Sequence, residues 1–267
     1  MITFANAKIN IGLQVVDRRS DGYHNLETVF YPLKLYDIVE VVEADNLRFV
    51  PSGLAIPGSE TDNLCVRAYR LLADDFDLPP VHIHLHKAIP IGAGLGGGSA
   101  DAAFLLKLLN DQFKLGLGES QLIGYARKLG ADCAFFIRNS PVLATGIGDV
   151  FQAVSVDLSG FNIVVVKPDI HVSTAMAYGM VKPNSAPGRL ASNIQLPVES
   201  WRDSVVNDFE SGIFFRYPEI ASIKTALYEE GAVFAAMSGS GSAVYGLFRE
   251  KLSLGGWSRN HQVFYID

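Results

Sequence analysis

Apolar and polar positions alternate with a period of two through most of the first fifty residues. Ile9, Ile11 and Leu13 take turns with Lys8, Asn10 and Gly12, and runs of this kind predict strands over 2–4, 9–16, 26–35, 37–44 and 47–49, none with helical spacing. The period then lengthens. Asp62 is placed to cap a helix over 64–76, residues 81–86 return to strict alternation as Val-His-Ile-His-Leu-His, and a glycine-rich loop leads into a second helix ending near Asn110. A third helix is predicted over 120–129, closed by Gly130 just past its end, and 142–145 reads as a strand running into a Gly146-Ile-Gly148 turn.

Past Phe151 the pattern restarts with an apolar strand over 161–166. This places a domain boundary near 155–160 and predicts an N-terminal domain over 1–156 and a C-terminal domain over 157–267. In the second of these, 174–180 is predicted helical, and 182–197, with three prolines and Gly188, is predicted to be a mobile loop. Pro218 and Gly231 bracket a helix over 219–230, and strands at 233–237 and 243–248 flank the turn Ser238-Gly-Ser-Gly-Ser242. Residues 252–260, with Gly255 and Gly256, make a poor helix.

Composition narrows the class. The chain has 267 residues, 49% of them hydrophobic, enough to bury a sizeable core in one large domain or two ordinary ones. A net charge of −6 argues against a nucleic-acid partner, which needs a basic footprint, so any anion site must be built locally. With no basic-then-apolar leader and no apolar run of about eighteen residues, the expectation is a cytoplasmic protein without a membrane role. Cys65 and Cys133 are too few for a disulfide framework or a zinc site and read as core thiols.

The segment with the most chemistry in it is Pro90-Ile-Gly-Ala-Gly-Leu-Gly-Gly-Gly-Ser-Ala-Asp-Ala-Ala103. Five glycines let backbone amides converge on an anion, and Ser99 as N-cap with Asp101 in the first turn would start a helix whose positive end faces the loop. A phosphate is the expected ligand. No G-x-x-x-x-G-K-[ST] occurs, so this is not a P-loop. The dinucleotide fingerprint matches formally at Gly92, Gly94 and Gly97, with Glu119 downstream, but the strand before it alternates, whereas a strand buried on both faces reads as a continuous apolar run.

Other residues gain meaning beside a phosphate. Lys8 and Asn10 share one strand face, which in an arbitrary protein is simply solvated, and Asp132 stands at the mouth of the apolar run Cys133-Ala-Phe-Phe-Ile137. A lysine beside an aspartate is what phosphorylation of an alcohol requires, the carboxylate taking the hydroxyl proton and the ammonium offsetting charge on the group in transfer. Asp21-Gly-Tyr-His24 is either a plain turn or a ring and an imidazole presented to a flat base. His82, His84 and His86 share a strand face, where an exposed face is the simpler reading than a metal site. The 238–242 turn is either a hairpin or a second amide donor to phosphate.

Taken in order, Ala7-Lys-Ile-Asn10, Asp21-Gly-Tyr-His24, the 90–103 loop, Gly130-Ala-Asp132, Ala144-Thr-Gly-Ile-Gly148, Val172-Ser-Thr174 with Tyr178, Asn207-Asp208 and 238–242 resemble the GHMP kinase family over nearly the whole chain. The resemblance implies an α+β, two-domain fold, an S5-like N-terminal domain and a ferredoxin-like C-terminal domain, with both substrates in the cleft between them. It implies ATP-dependent transfer of the γ-phosphoryl group to the 2-hydroxyl of a cytidine-diphosphate-linked methylerythritol, a step of the non-mevalonate isoprenoid precursor pathway. The alternatives are a sister kinase for homoserine, mevalonate or a sugar and, from other classes, a dead nucleotide-binding regulator or a dehydrogenase.

By the same resemblance Asp132 would be the base, Lys8 its electrostatic partner, and Asn10 would hold the substrate beside them. Tyr23 and Tyr178 would sandwich the cytosine, His24 would read its polar edge, and Tyr31 and Thr174 would also face the substrate. Pro90, Ile91, Gly92, Ala93, Gly94, Leu95, Gly96, Gly97, Gly98, Ser99 and Ala100 would wrap the ATP phosphates, while Asn63 and Lys87 would lie towards the nucleoside. Mg2+ would accompany ATP, with no residue assigned as its ligand. Asp149 stands where the family often has glutamate and is given no metal role. A monomer or homodimer is expected.

Overall fold

A computed structural model describes residues 1–183, 188–252, 257 and 261–266. In chain order the elements are β1 (Ile2–Arg18), β2 (His24–Glu43), β3 (Arg48–Gly53), α1 (Leu64–Ala73), β4 (Val81–Lys87), α2 (Gly97–Gln112), α3 (Glu119–Leu129), α4 (Cys133–Arg138), β5 (Val142–Thr145) and β6 (Val150–Ala153). There follow β7 (Asn162–Pro168), α5 (Thr174–Met180), α6 (Arg189–Asn193), α7 (Phe209–Arg216), α8 (Pro218–Glu229), β8 (Phe234–Met237), β9 (Val244–Phe248) and β10 (His261–Ile266). Among the described residues no helix is long and apolar enough to cross a membrane.

Each of the two long N-terminal strands was expected as two short ones. β1 runs unbroken because it is buried on both faces from Ala5 to Val15: Asn6, Lys8 and Asn10 carry the alternation on through the stretch between the two expected strands, on a face that is buried rather than solvated. β1 pairs with β2. The residues pack as two units, one of 1–8, 35–91 and 96–140, the other of 9–34, 92–95 and 141–267.

In the first unit, β4 runs antiparallel to the C-terminal part of β2, Ile38 opposite His86, and parallel to β3, Arg48 opposite His82. Val81, Ile83, Leu85 and Lys87 point inward, and the three histidines take the other face. His82 bonds to Asn46 and His86 to Ser52, and among the described residues no group of three or more His, Cys, Asp or Glu is arranged to hold a metal. Helices α1 to α4 pack on one another. Asn63, not Asp62, caps α1, its Oδ1 accepting from the Cys65 amide at 2.9 Å, and the helix stops at Ala73 rather than 76. The N-cap of α2 is Gly96 at φ 72°, which puts Ser99 inside the first turn, where its hydroxyl is released from capping. Gly130 follows α3 in extended backbone (φ 173°), and the apolar run after Asp132 is the short helix α4.

In the second unit, Thr28, Val29 and Phe30 of β2 pair with β5, and β5 pairs with β6. A four-stranded antiparallel sheet has the order β10-β7-β9-β8. Val164, Val166, Met237 and Val244 of this sheet pack with Phe209 and Ile213 of α7, Ile220, Ile223 and Leu227 of α8, and Leu13 and Val15 of β1. Asn207 and Asp208 join these parts. The Asp208 amide donates to the Leu13 carbonyl at 2.8 Å and its carboxylate accepts from the Val15 amide at 2.7 Å, while buried Asn207 donates to the carbonyls of Met237 (2.9 Å) and Gly239 (2.8 Å). The loop expected over 182–197 contains α6, and its residues 184–187 lie outside the described ones, as do 253–256 and 258–260 of the segment expected as a poor helix. Strands β6 and β10 and helix α7 were not expected: each is short, and their burial is uneven enough to mask the period.

Candidate active site

The first unit brings Lys8, Asp132 and the second half of the glycine loop together. Lys8 Nζ lies 3.4 Å from Asp132 Oδ2, with the lysine 4% and the aspartate 36% exposed. Burial pushes the Lys8 ammonium below the ordinary lysine range, and the charge and hydrogen bond of Asp132 pull it part of the way back. Asp132 is positioned by α4, which it precedes. Phe136 of that helix is fully buried, and its ring and the Lys8 stem both press on Gly96, where an added Cβ would come 2.9 Å from Phe136 Cζ and 3.1 Å from Lys8 Cε. Gly96 thus has two reasons to be glycine, its left-handed backbone and this approach.

Past Gly96 the helix α2 begins, and its first amides have no partners within the helix. Ser99 lies in this first turn in hydrogen-bonding contact with the sulfur of Cys133, which burial pushes up to about 11. Asn63 sits at the head of α1, whose Leu64 side chain is 4.0 Å from where a Cβ on Gly98 would lie. Lys87 is buried behind the loop. Its ammonium bonds to Asp37 and, at 2.8 Å, to Asp101. Burial works against this charge, but the two carboxylates outweigh it and hold the Lys87 pKa above the usual value. Asp37 is too distant in sequence for local spacing to link it to the loop, and Asp101, expected in the first turn of α2, falls just beyond it because the helix starts at Gly97.

The second unit holds the other half of the loop and the residues expected at the acceptor. Gly94, at φ 83°, abuts the Ser238 carbonyl so closely that no Cβ would fit. Ser238 donates from its hydroxyl to the Gly94 carbonyl at 2.9 Å and accepts from the Asn10 amide at 3.2 Å, so the late glycine turn latches the early loop to β1. Asn10 Nδ2 donates to Thr28 Oγ1 at 2.9 Å, Thr28 donates to the Gly12 carbonyl at 2.6 Å, and the Tyr245 hydroxyl donates to the Asn10 carbonyl at 3.1 Å. Thr28 and Tyr245 were missed because their roles depend on strand pairing, which local spacing does not reveal.

His24 and Tyr178 stack, ring centroids 4.9 Å apart and planes 19° from parallel, and Tyr178 meets Phe209 edge-on. Tyr23 stands 63% exposed in the turn before β2. Thr174 opens α5, its hydroxyl 3.1 Å from that of Ser240 in the late turn. Tyr31 is placed differently. Three residues beyond Thr28 on the same strand, it falls on the opposite face, in hydrogen-bonding contact with the Leu158 backbone.

Residues 63–140 match the family pattern for the N-terminal domain of GHMP kinases, and 187–254 that for their C-terminal domain. A 4-diphosphocytidyl-2-C-methyl-D-erythritol kinase of Bacteroides fragilis is 54% identical over 252 residues, covering 93% of this chain and 92% of its own, and one from Cytophaga hutchinsonii is 50% identical with coverages of 94% and 93%. A crystal structure of a 4-(cytidine 5'-diphospho)-2C-methyl-D-erythritol kinase superposes with a TM-score of 0.82 at 30% identity, over 100% of this chain and 98% of the other. A mevalonate kinase of Methanococcus jannaschii, at 14% identity and a TM-score of 0.73 over 100% and 97% of the two chains, shares the fold. With both family patterns in order along one polypeptide, and half of its residues shared with such relatives over nine-tenths of its length, the chain belongs to the GHMP kinase family.

Proposed function

We propose that this kinase transfers the γ-phosphoryl group of ATP to the 2-hydroxyl of 4-diphosphocytidyl-2-C-methyl-D-erythritol, a step in making isoprenoid precursors by the non-mevalonate route. The observation that carries the reading is the Lys8–Asp132 pair beside the start of α2, a base and a cation next to an anion-attracting helix end. Asp132 takes the proton of the acceptor hydroxyl as its oxygen attacks the γ-phosphorus. Lys8 and the amides of 96–100 offset the charge that accumulates on the transferred group and on the leaving ADP. Residues 90–100 wrap the phosphates, with Asn63 on the nucleoside side and Lys87 buried behind the loop. Asn10, whose amide nitrogen is fixed by Thr28, orients the alcohol. Tyr23, His24, Thr174 and Tyr178 serve the cytidylyl part, and Tyr31, on the other face of β2, is given no role in it.

Mg2+ would come in on the ATP phosphates and screen their charge. The reading has phosphate oxygens and water hold the ion and assigns it no side-chain ligand. The reading assigns 1–156 to ATP and 157–267 to the C-terminal GHMP domain, and places a monomer or homodimer in the cytoplasm. The test is a coupled ADP-release assay with MgATP, comparing the cytidylyl substrate with homoserine, mevalonate and galactose. Turnover with the cytidylyl substrate alone is expected; preference for another alcohol would overturn the substrate assignment and leave the phosphoryl-transfer chemistry standing.

A further inference from the structure

Behind the glycine loop the first unit buries two carboxylates against one ammonium. Asp37 is 0%, Asp101 2% and Lys87 4% exposed. The three come from three elements, Asp37 from β2, Lys87 from the last position of β4 and Asp101 from the second turn of α2. The cluster touches the loop directly. A Cβ added to Gly97, the first residue of α2, would come 3.0 Å from Lys87 Nζ. Asp37 also fixes the chain entering the loop, its Oδ1 accepting from the amides of Ala88 at 2.6 Å and Ile89 at 2.9 Å.

The two carboxyl groups are not equivalent. Asp37 accepts from two backbone amides and from Lys87, three donors that favour its charged form. Asp101 accepts only from Lys87, and its Oδ1 is buried without a donor. Asp37 and Asp101 bond to the same ammonium, so two buried carboxylates share one positive charge, and a proton on Asp101 removes the excess. Were both ionised, the cluster would place a net buried negative charge behind a helix end that has to attract phosphates.

We propose that Asp101 is a positioning residue that holds a proton, so that the Asp37–Lys87–Asp101 cluster is electroneutral and the helix end in front of it keeps its full attraction for ATP phosphates. The inference rests on the kinase reading for its effect on ATP, but not for the proton itself. The groups facing Asp101 agree. Burial, with Asp37 adding to it and Lys87 opposing, pushes the Asp101 carboxyl up to about 8. From α1 the buried Cys65 thiol, held well above its usual range by burial, faces the cluster as a neutral group, and Cys133 of α4 is raised to about 11.

Two measurements on the full chain test this. Infrared spectra of the nucleotide-free protein at about pH 7 should show a carboxylic-acid carbonyl band that fades as pH rises through about 8, that is lost in D101N, and that is also lost in D37N, where Asp101 ionises against Lys87. Absence of that band in the wild type, or its persistence in D101N, overturns the inference whatever the enzyme's substrate. The second measurement is KM for ATP. Between about pH 7 and pH 10 the ratio of the wild-type KM to that of D101N should rise at least about fivefold, as one more charge appears near the phosphates in the wild type alone. Loss of the Lys8 proton over the same range is common to both proteins and cancels in the comparison. A parallel rise in both would show that the pH dependence comes from elsewhere and would remove the proposed role. If neither protein turned over the cytidylyl substrate while the band behaved as described, the substrate reading would fail and the proton assignment would stand.

Discussion

Replacing Lys8 by methionine separates what the ammonium does for the reaction from what it does to the fold. The unfolded chain keeps this proton up to the ordinary lysine value of 10.5, whereas the folded protein releases it at lower pH because burial outweighs the pull of Asp132. Between those two values the unfolded state holds the extra proton, so wild-type stability rises with pH across that window; below it the folded protein carries the whole cost of a buried cation. Methionine has a similar length and no charge. Asp132, 36% exposed, is solvated when its partner goes, so little offsets the gain. Replacing a buried ion by a packed apolar chain is worth about 0 to 4 kcal/mol, and at roughly 2–4 °C per kcal/mol for a chain of this size the midpoint should hold or rise by up to roughly 15 °C. Turnover should fall in the opposite direction, by roughly 10²–10³, the loss of about 2.7–4 kcal/mol typical of a group that stabilises charge only in the transition state. Calorimetry at about pH 7 and about pH 10, where the stability difference should shrink, together with the ADP-release assay, reads both effects. A midpoint lowered by more than about 5 °C would show that the ion pair holds the fold together, and turnover within tenfold of wild type would remove Lys8 from the chemistry.

The Asp132→Asn variant should lose about 10²–10⁴ in turnover while binding a non-hydrolysable ATP analogue with unchanged affinity by calorimetric titration; residual activity near wild type would exclude it as the base. In Gly96→Ala, a left-handed backbone costs about 1–2 kcal/mol and the contacts with Phe136 and Lys8 about 1–3 more, so urea denaturation should show a loss of roughly 2–5 kcal/mol. A loss under about 1 kcal/mol would mean that the loop relaxes freely. Asn207→Ala removes two side-chain donors and the acceptor that holds the Phe209 amide at 3.0 Å, and a destabilisation of about 2–4 kcal/mol is expected from denaturant curves; an unchanged midpoint would deny that this residue ties α7 to the late glycine turn.

The parts of the site that could be read from the chain were those whose chemistry is local. Five glycines followed by a helix start announce an anion cradle without reference to any distant residue, and the alternation around Lys8 puts it on a strand face with Asn10. What escaped was long-range. The latch on Gly94 comes from Ser238, 144 positions away, and the fixing of Asn10 depends on which strand lies beside β1. The stacking of Tyr178 on His24 likewise joins rings from elements far apart in sequence. The shift of the α2 cap from Ser99 to Gly96 has a local cause. A glycine with positive φ can start a helix without a side-chain acceptor, and propensity rules that look for serine overlook it.

The buried cluster was present in the pattern, although its meaning was not drawn from it. Strict alternation over 81–86 continues through one more residue and assigns Lys87 to the same inward face as Val81, Ile83 and Leu85. A lysine on such a face must be paired, because an isolated ammonium in the interior would give up its proton. The partners are harder to find. Asp101 lies in a helix buried over most of its length, where Ala100, Ala102, Ala103, Leu105 and Leu106 surround it and no polar face marks it as special, and Asp37 opens the alternating half of β2 on the same buried face as Val39 and Val41, where its position at the strand's edge reads as a turn residue. Only the assembled unit shows two acids for one base, and from that count the need for a proton follows. The overall charge of −6 gives the same logic at larger scale, since an acidic protein that binds polyphosphate must neutralise its own carboxylates wherever they approach the ligand.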